Sequence, residues 1–224
     1  LRSPEEGHWR MNTRELLNKV QLKLEDGSYT RRNLLERMNS GLVYVAGHIP
    51  LPKLQVSSEV DTVLDQDFVA LPETFQHNLF SVYNASKSWK CTILYSRRTL
   101  EELYDHPDEE GPVKNVVDEG DVLYYRRIPK EAETLKLKFN AFPAALLDQA
   151  DSVPVCLPKG LHEHILVNYV LADVFSEIED GIDGAKTNTD FYWNEFLNAY
   201  SSLEGFYPGV ARAKRHIPRR ISFF

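Results

Sequence analysis

Leu135-Lys136-Leu137-Lys138-Phe139 decides the fold class. Three large apolar residues alternate with two lysines. That period of two puts one face of an extended strand in a core and the other in water. Working upstream, Phe68–Leu71, Leu79–Tyr83, Cys91–Tyr95, Val113–Val117 and Val122–Tyr125 are short runs rich in β-branched and aromatic residues, separated by polar turns. Asp118-Glu119-Gly120-Asp121, between two of these runs, reads as a hairpin turn. Thr99 and Glu102 have the spacing of a capping box, which predicts one short helix with Leu100 and Leu103 facing inward. Residues 55–142 therefore read as an antiparallel β-domain, a sandwich or partial barrel.

On both sides of this region the period changes to that of a helix. Asn12 and Glu15 form a capping box ahead of Leu16, Leu17, Val20 and Leu24. Glu25-Asp26-Gly27-Ser28 then turns the chain, and Thr30 can cap a second helix carrying Leu34, Leu35, Met38, Leu42 and Val45. Pro50 and Pro52 end it, since neither can donate a helical hydrogen bond. Beyond Pro143, Pro154 and Pro158, the residues Leu161, Ile165, Tyr169, Ala172, Phe175 and Ile178 fall on one helical face. A last helix is expected from Thr187, with Asp190 at capping distance and Tyr192, Phe196, Tyr200 and Leu203 buried. The expectation is an α+β chain. A bundle of about four helices, two N-terminal and two C-terminal, carries an inserted antiparallel β-domain and an extended C-terminal tail. Its parts are an extension over 1–10, a helical hairpin over 11–54, the β-domain over 55–142, closing helices over 143–204 and a basic tail over 205–224.

Composition narrows the function. No run of 18 or more apolar residues is present to span a membrane, and no basic-then-apolar leader opens the chain. Cys91 and Cys156 fit no metal or redox spacing and read as buried free thiols. The net charge of −7 is unevenly shared. Residues 208–224 carry Arg212, Lys214, Arg215, Arg219 and Arg220 and no acid, while residues 11–207 carry 19 bases and 31 acids, a net of −12. An acidic body argues against general nucleic-acid binding through its surface.

Motifs that could carry chemistry fail on spacing. In His162-Glu163-His164 the histidines are two apart, on different sides of a helix, where a zinc pair needs four; a polar first helical turn accounts for them. Gly181-Ile182-Asp183-Gly184-Ala185-Lys186-Thr187 places Ala185 where a phosphate loop needs glycine directly before lysine. Glu179, Asp180 and Asp183 do not reproduce a calcium loop. There is no Gly-x-Ser-x-Gly elbow, and the carboxylates of Glu101-Glu102 and Asp108-Glu109-Glu110 sit in polar runs. Arg126-Arg127 after Tyr124-Tyr125 reads as an exposed strand edge with stacked aromatics rather than an RNA site. Phe191, Tyr192, Trp193, Phe196 and Tyr200 exceed one stripe, which leaves a partner interface and core packing both open. No catalytic residue, metal ligand or cofactor is expected, and the chain reads as non-enzymatic.

Three stretches carry a resemblance. The first is Thr13-Arg14-Glu15-Leu16-Leu17 with Val20, Leu24-Glu25-Asp26, and Leu34-Leu35-x-x-Met38-Asn39-x-Gly41. The second is Val69-Ala70-Leu71-Pro72-Glu73 with Phe75. The third is Pro158 with Leu161, Leu166-Val167-x-Tyr169, Phe175-x-x-Ile178-Glu179-Asp180 and Tyr192-x-x-x-Phe196. Together they resemble the head-to-tail connector proteins, adaptors and gatekeepers, of tailed bacteriophages. Tyr29-Thr30-Arg31 departs from the tryptophan that many members carry near the second helix.

The resemblance implies a structural virion protein of the head–tail neck, assembled in the host cytoplasm. It implies a homo-oligomeric ring, commonly a dodecamer, between the portal protein and tail or nozzle proteins, with DNA passing through the channel without specific binding. It also implies that the C-terminal segment docks on the portal, with Arg212, Lys214, Arg215, Arg219, Arg220, Phe223 and Phe224 as the contact residues. The alternatives are another neck or tail-completion protein, a small cytosolic enzyme, or a nucleic-acid-binding module.

Overall fold

A computed structural model describes residues 11–24, 27–104, 106, 109–180 and 186–207. Its helices are α1 (Thr13–Leu24), α2 (Arg31–His48), α3 (Arg97–Glu102), α4 (Asn168–Glu179) and α5 (Thr187–Phe206). Its strands are β1 (Gln55–Asp61), β2 (Phe68–Ala70), β3 (Phe75–Asn84), β4 (Trp89–Ile93), β5 (Asn115–Glu119), β6 (Val122–Arg126) and β7 (Thr134–Ala141). The chain divides into two compact units, one from the segments up to Lys53 and from Pro143, the other Leu54–Phe142.

In the first unit, local sequence sets each helix start. Asn12 Oδ1 accepts from Glu15 N at 2.9 Å while Glu15 Oε2 accepts from Asn12 N at 3.0 Å, a closed capping box. Thr30 Oγ1 accepts from Asn33 N at the head of α2. Leu16, Leu17, Val20, Leu34, Met38 and Val45 are fully buried. Leu161 lies in a 3₁₀ turn, and residues Glu163–Val167 form a π turn that leads into α4. The extra residue per turn shifts the helical phase. The expected stripe is kept at Ile165, Tyr169 and Ala172 and lost at Ile178, which is exposed, while burial spreads round the helix to Leu166, Val167, Val170, Leu171 and Val174, all fully buried. A helix apolar around its whole circumference is a central one. At Gly41 the α2 backbone lies against the Tyr169 ring so closely that a Cβ there would stand 2.6 Å from Cδ1.

The second unit is one seven-stranded curled sheet in the order β1-β7-β3-β4-β5-β6-β2. Its alternation matches β7, where Leu135, Leu137 and Phe139 are buried and Lys136 and Lys138 are exposed. These residues pack with Val82, Val116, Leu123 and Tyr125 in a single core, each large side chain contributing roughly 1.5–3 kcal/mol. Gly120, at φ +62°, makes the β5–β6 turn. β4 and β5 run parallel. Parallel neighbours need a crossover, and the segment carrying α3 supplies it.

The fold class read from the sequence is corrected accordingly. Instead of a bundle of about four helices with an inserted antiparallel β-domain, the described residues hold five α-helices and a curled, mixed sheet of seven strands. Two physical reasons account for the difference. β1, Gln55–Asp61, is mostly polar and exposed, and Ser58 stands between Val56 and Val60 on its core face, so its alternation is too weak to read. Parallel pairing is set by the α3 crossover, not by any local residue pattern. α3 also starts earlier than expected: Ser96 is its N-cap, accepting from Thr99 N, and Leu103 is exposed. Of the expected extended tail, 205–224, Gly205 and Phe206 belong to the last turn of α5 instead, and 208–224 lies outside the described residues.

Candidate functional site

In the helical unit, ionic contacts join positions far apart in sequence. Arg31, in the first turn of α2, makes a bidentate contact with Asp148 at 2.8 and 2.9 Å, and its Nη1 also donates to Asn18 and Gln21. Arg14 lies 3.7 Å from the same carboxylate. The hydrogen bond from Arg31 holds the Asp148 carboxyl below its usual range. Nearly two turns along α2, Arg37 bridges Asp173 and Glu177 of α4 at 2.5 and 2.6 Å, with the Tyr29 ring 5.7 Å away. Burial pushes the Asp173 carboxyl up, and the Arg37 charge only partly offsets this. Lys19 of α1 pairs with Glu163 in the π turn. These cations hold helices together, so they offer little charge to a phosphate.

The start of α5 is capped by a residue that is not its neighbour in sequence. Glu179, the last residue of α4, accepts from Asn188 N (3.0 Å), Thr189 N (3.1 Å) and Thr189 Oγ1 (2.7 Å). Burial alone would raise its pKa. The hydrogen bonds from Thr189 and Asn188 outweigh that and hold the carboxyl below its usual range. Thr187 is thus the first helical residue rather than the cap. Residues 181–185 lie outside the described residues, and Lys186 pairs with Asp180.

The aromatic excess on α5 divides. Phe196 and Tyr200 are buried and join Tyr169 and Tyr44 in one ring cluster. Tyr192 stacks flat on Phe175 at 5.5 Å. Phe191 and Phe206 remain exposed. Core packing thus accounts for most of the ring surface.

The remaining expected residues separate in the same way. His162 is buried, with ring nitrogens near Met11 O and Leu157 O, and His164 does not join it. Among the described residues, no group of three or more His, Cys, Asp or Glu could hold a metal. Cys91 and Cys156 are free and buried, and burial lifts both thiols to about 11. β2 covers β6 only over Val122–Tyr124, so Arg126 and Arg127 lie past its end, and both are half-buried rather than exposed. Tyr125 faces the core, Tyr124 lies against Phe68 under Arg97, and Arg127 pairs with Glu109. The sheet's true edges are β1 and β2, and β1 was missed in the sequence. Arg212, Lys214, Arg215, Arg219, Arg220, Phe223 and Phe224 lie outside the described residues.

No helix among the described residues is long and apolar enough to cross a membrane. No curated protein matches the chain. A family model for the SU10 adaptor protein matches residues 11–216, nearly the whole chain. It includes Arg212, Lys214 and Arg215, and stops short of Arg219, Arg220, Phe223 and Phe224. With a match that runs through both units, the chain belongs to the SU10 adaptor family of phage head-to-tail adaptors and is a structural component of the virion.

Proposed function

We propose that this adaptor assembles as a closed ring, of about twelve copies by the habit of such connectors, between the portal and the tail or nozzle proteins. The observation that carries the reading is the family match across residues 11–216. In this reading the ring surrounds the path of the DNA and lines it with acidic and polar groups. A net of −12 over residues 11–207 repels phosphate, so the duplex passes without being gripped. Residues 208–224 are the portal-binding segment. Arg212, Lys214, Arg215, Arg219 and Arg220 meet acidic groups of the portal, and Phe223 and Phe224 fill apolar pockets there. The division into 11–54, 55–142, 143–204 and 205–224 is proposed as the working map for truncations.

Light scattering on the purified chain, alone and with portal, tests the ring, and electron microscopy of the particle neck places it. A closed ring that forms with portal supports the reading, and a fixed monomer or dimer absent from particles refutes it. Deleting 208–224 should abolish portal binding while leaving the helical signal intact. Undiminished binding would remove the tail from the model of docking.

A further inference from the structure

We propose that the outer edge of β1 is a strand-addition site for an extended, basic segment of another virion protein. The proposal goes beyond ring assembly and takes from that reading only that the chain works among other virion proteins.

The hydrogen-bonding phase of β1 fixes which groups are on offer. Asp61 stands opposite Thr134, and the C=O of Thr134 accepts from Ala85 N on the β3 side at 2.8 Å. One residue along, Thr62 N donates to Glu133 O at 2.9 Å. In an antiparallel pair this alternation repeats every second residue. Val56, Ser58 and Val60 therefore turn their backbone groups to β7, and Gln55, Ser57, Glu59 and Asp61 turn theirs to the open edge. β1 ends the strand order of the sheet, and it pairs with β7 in unbroken register over its whole length.

Free edges are normally blunted by proline, a bulge, a very short strand, charges or a covering segment. Among the described residues β1 contains no proline, its register does not shift, and its core-facing residues are Val56, Ser58 and Val60; its two charges, Glu59 and Asp61, lie on the outer face and set the charge a partner must carry. The opposite edge, β2, is blunted by being only three residues long. A row of alternate N–H and C=O groups is matched along its whole length by an extended backbone, which takes the place of water there.

The side chains specify its sequence. On the outer face, Glu59 pairs with Lys136 at 2.9 Å yet stays 58% exposed, and Asp61 accepts from Thr134 Oγ1. The two carboxylates are about 7 Å apart along the strand. A partner with lysine or arginine at alternate positions would continue the Lys136–Glu59 ladder outward. On the core side Val56 is 37% exposed, and an apolar residue between the basic ones would cover it. A second copy's folded edge fits badly. β1 paired antiparallel with β1 over its full length sets Glu59 opposite Ser57 and Asp61 opposite Gln55, which gives neither carboxylate a basic partner, and β2 is flanked by Asp65 and Asp67.

The test uses the full chain and a labelled peptide alternating lysine and valine, about as long as β1, read by fluorescence anisotropy. Its glutamate–valine counterpart is the control. Ser57→Pro removes an outward N–H and no bond to β7, and its thermal midpoint confirms folding. Saturable binding of the basic peptide, weakened about tenfold or more by Ser57→Pro and by Glu59→Lys/Asp61→Lys, is expected. If Ser57→Pro does not fold, the charge variant carries the test alone. Unchanged binding in the variants would mean mere adhesion to an acidic surface, and no binding at all would likewise overturn the proposal. Self-association of the chain that vanishes in Ser57→Pro would assign the edge to a second copy and overturn it too.

Discussion

Glu179→Ala should destabilise the helical unit by about 2–3 kcal/mol, far more than its place at a helix end suggests. The carboxylate receives Asn188 N, Thr189 N and Thr189 Oγ1 and is itself 9% exposed. Loss of a capping side chain costs roughly 0.5–2 kcal/mol. A hydrogen bond to a charged group contributes about 1.5–3 kcal/mol. These figures describe overlapping contacts and do not add, but the Thr189 hydroxyl, only 7% exposed, also loses its partner. For a chain of this size about 2–4 °C accompanies each kcal/mol, so a fall of about 5–10 °C in Tm is expected. Glu179→Gln keeps an acceptor and should lose about half as much. The pH dependence follows from the lowered pKa of Glu179. An acid whose folded pKa lies below its unfolded value, about 4.3, contributes in full above that value. The contribution is lost as pH falls through the folded pKa. Urea denaturation followed by helical circular dichroism at pH 7 and near pH 4 checks both parts. The gap between wild type and Glu179→Gln should be complete at pH 7 and shrink in acid. A loss below about 0.5 kcal/mol at pH 7, or a gap indifferent to pH, would refute the cap as an energetic feature.

Gly41→Ala should destabilise although alanine is the better helix former by about 1 kcal/mol. Its Cβ would meet Tyr169 Cδ1 at 2.6 Å and Cγ at 2.9 Å, and overpacking of that kind costs about 1–3 kcal/mol; a raised Tm would show that the ring yields. In the sheet unit, Glu133→Ala strips the acceptor from Asn84 Nδ2 (2.6 Å) and Val113 N (3.0 Å). With all three residues buried, a loss of about 2–4 kcal/mol is expected in urea unfolding.

How much of this was legible depends on whether the determinant was local. The Asn12–Glu15 box, the Thr30 cap and the alternation of Leu135, Leu137 and Phe139 each lie within a few residues, and all three are present in the structure. The cap of α5 is not local. Thr187 and Asp190 have the right spacing, yet the hydrogen bonds to Thr189 go to Glu179, ten residues back. β1 was missed because an edge strand has one side to satisfy and can be mostly polar, with only Val56 and Val60 apolar here. The π turn before α4 was missed because it conserves the apolar residues and changes only their phase. For the site, the sequence could flag the aromatic surplus of α5, but only packing shows Phe196 and Tyr200 as core and Phe191 as surface. At Arg126-Arg127 the sequence could not show the half-burial of the pair or the contact of Arg127 with Glu109, because both depend on a separate segment folding back.

The charge arithmetic becomes sharper once the pairs are known. Several basic residues of the helical unit are spent on acids of the same unit: Lys19 on Glu163, Arg31 on Asp148, Arg37 on Asp173 and Glu177, Lys186 on Asp180. A phosphate would have to break one of these contacts to recruit any of these cations, and the carboxylate left behind would repel it; Lys23, over the Tyr192 ring, is one isolated charge. The acids thus exclude DNA twice, by their own charge and by occupying the bases. Any salt-dependent affinity of the chain for duplex DNA should therefore follow residues 208–224, where five bases stand without an acid. Each phosphate contact contributes about −0.9 to the slope of log K against log salt. Deleting 208–224 should bring that slope to near zero at about 0.1 M salt, where screening already weakens exposed pairs. A slope that survives the deletion would mean that the body offers cations after all, and a channel past which DNA slides freely could not be built from this surface.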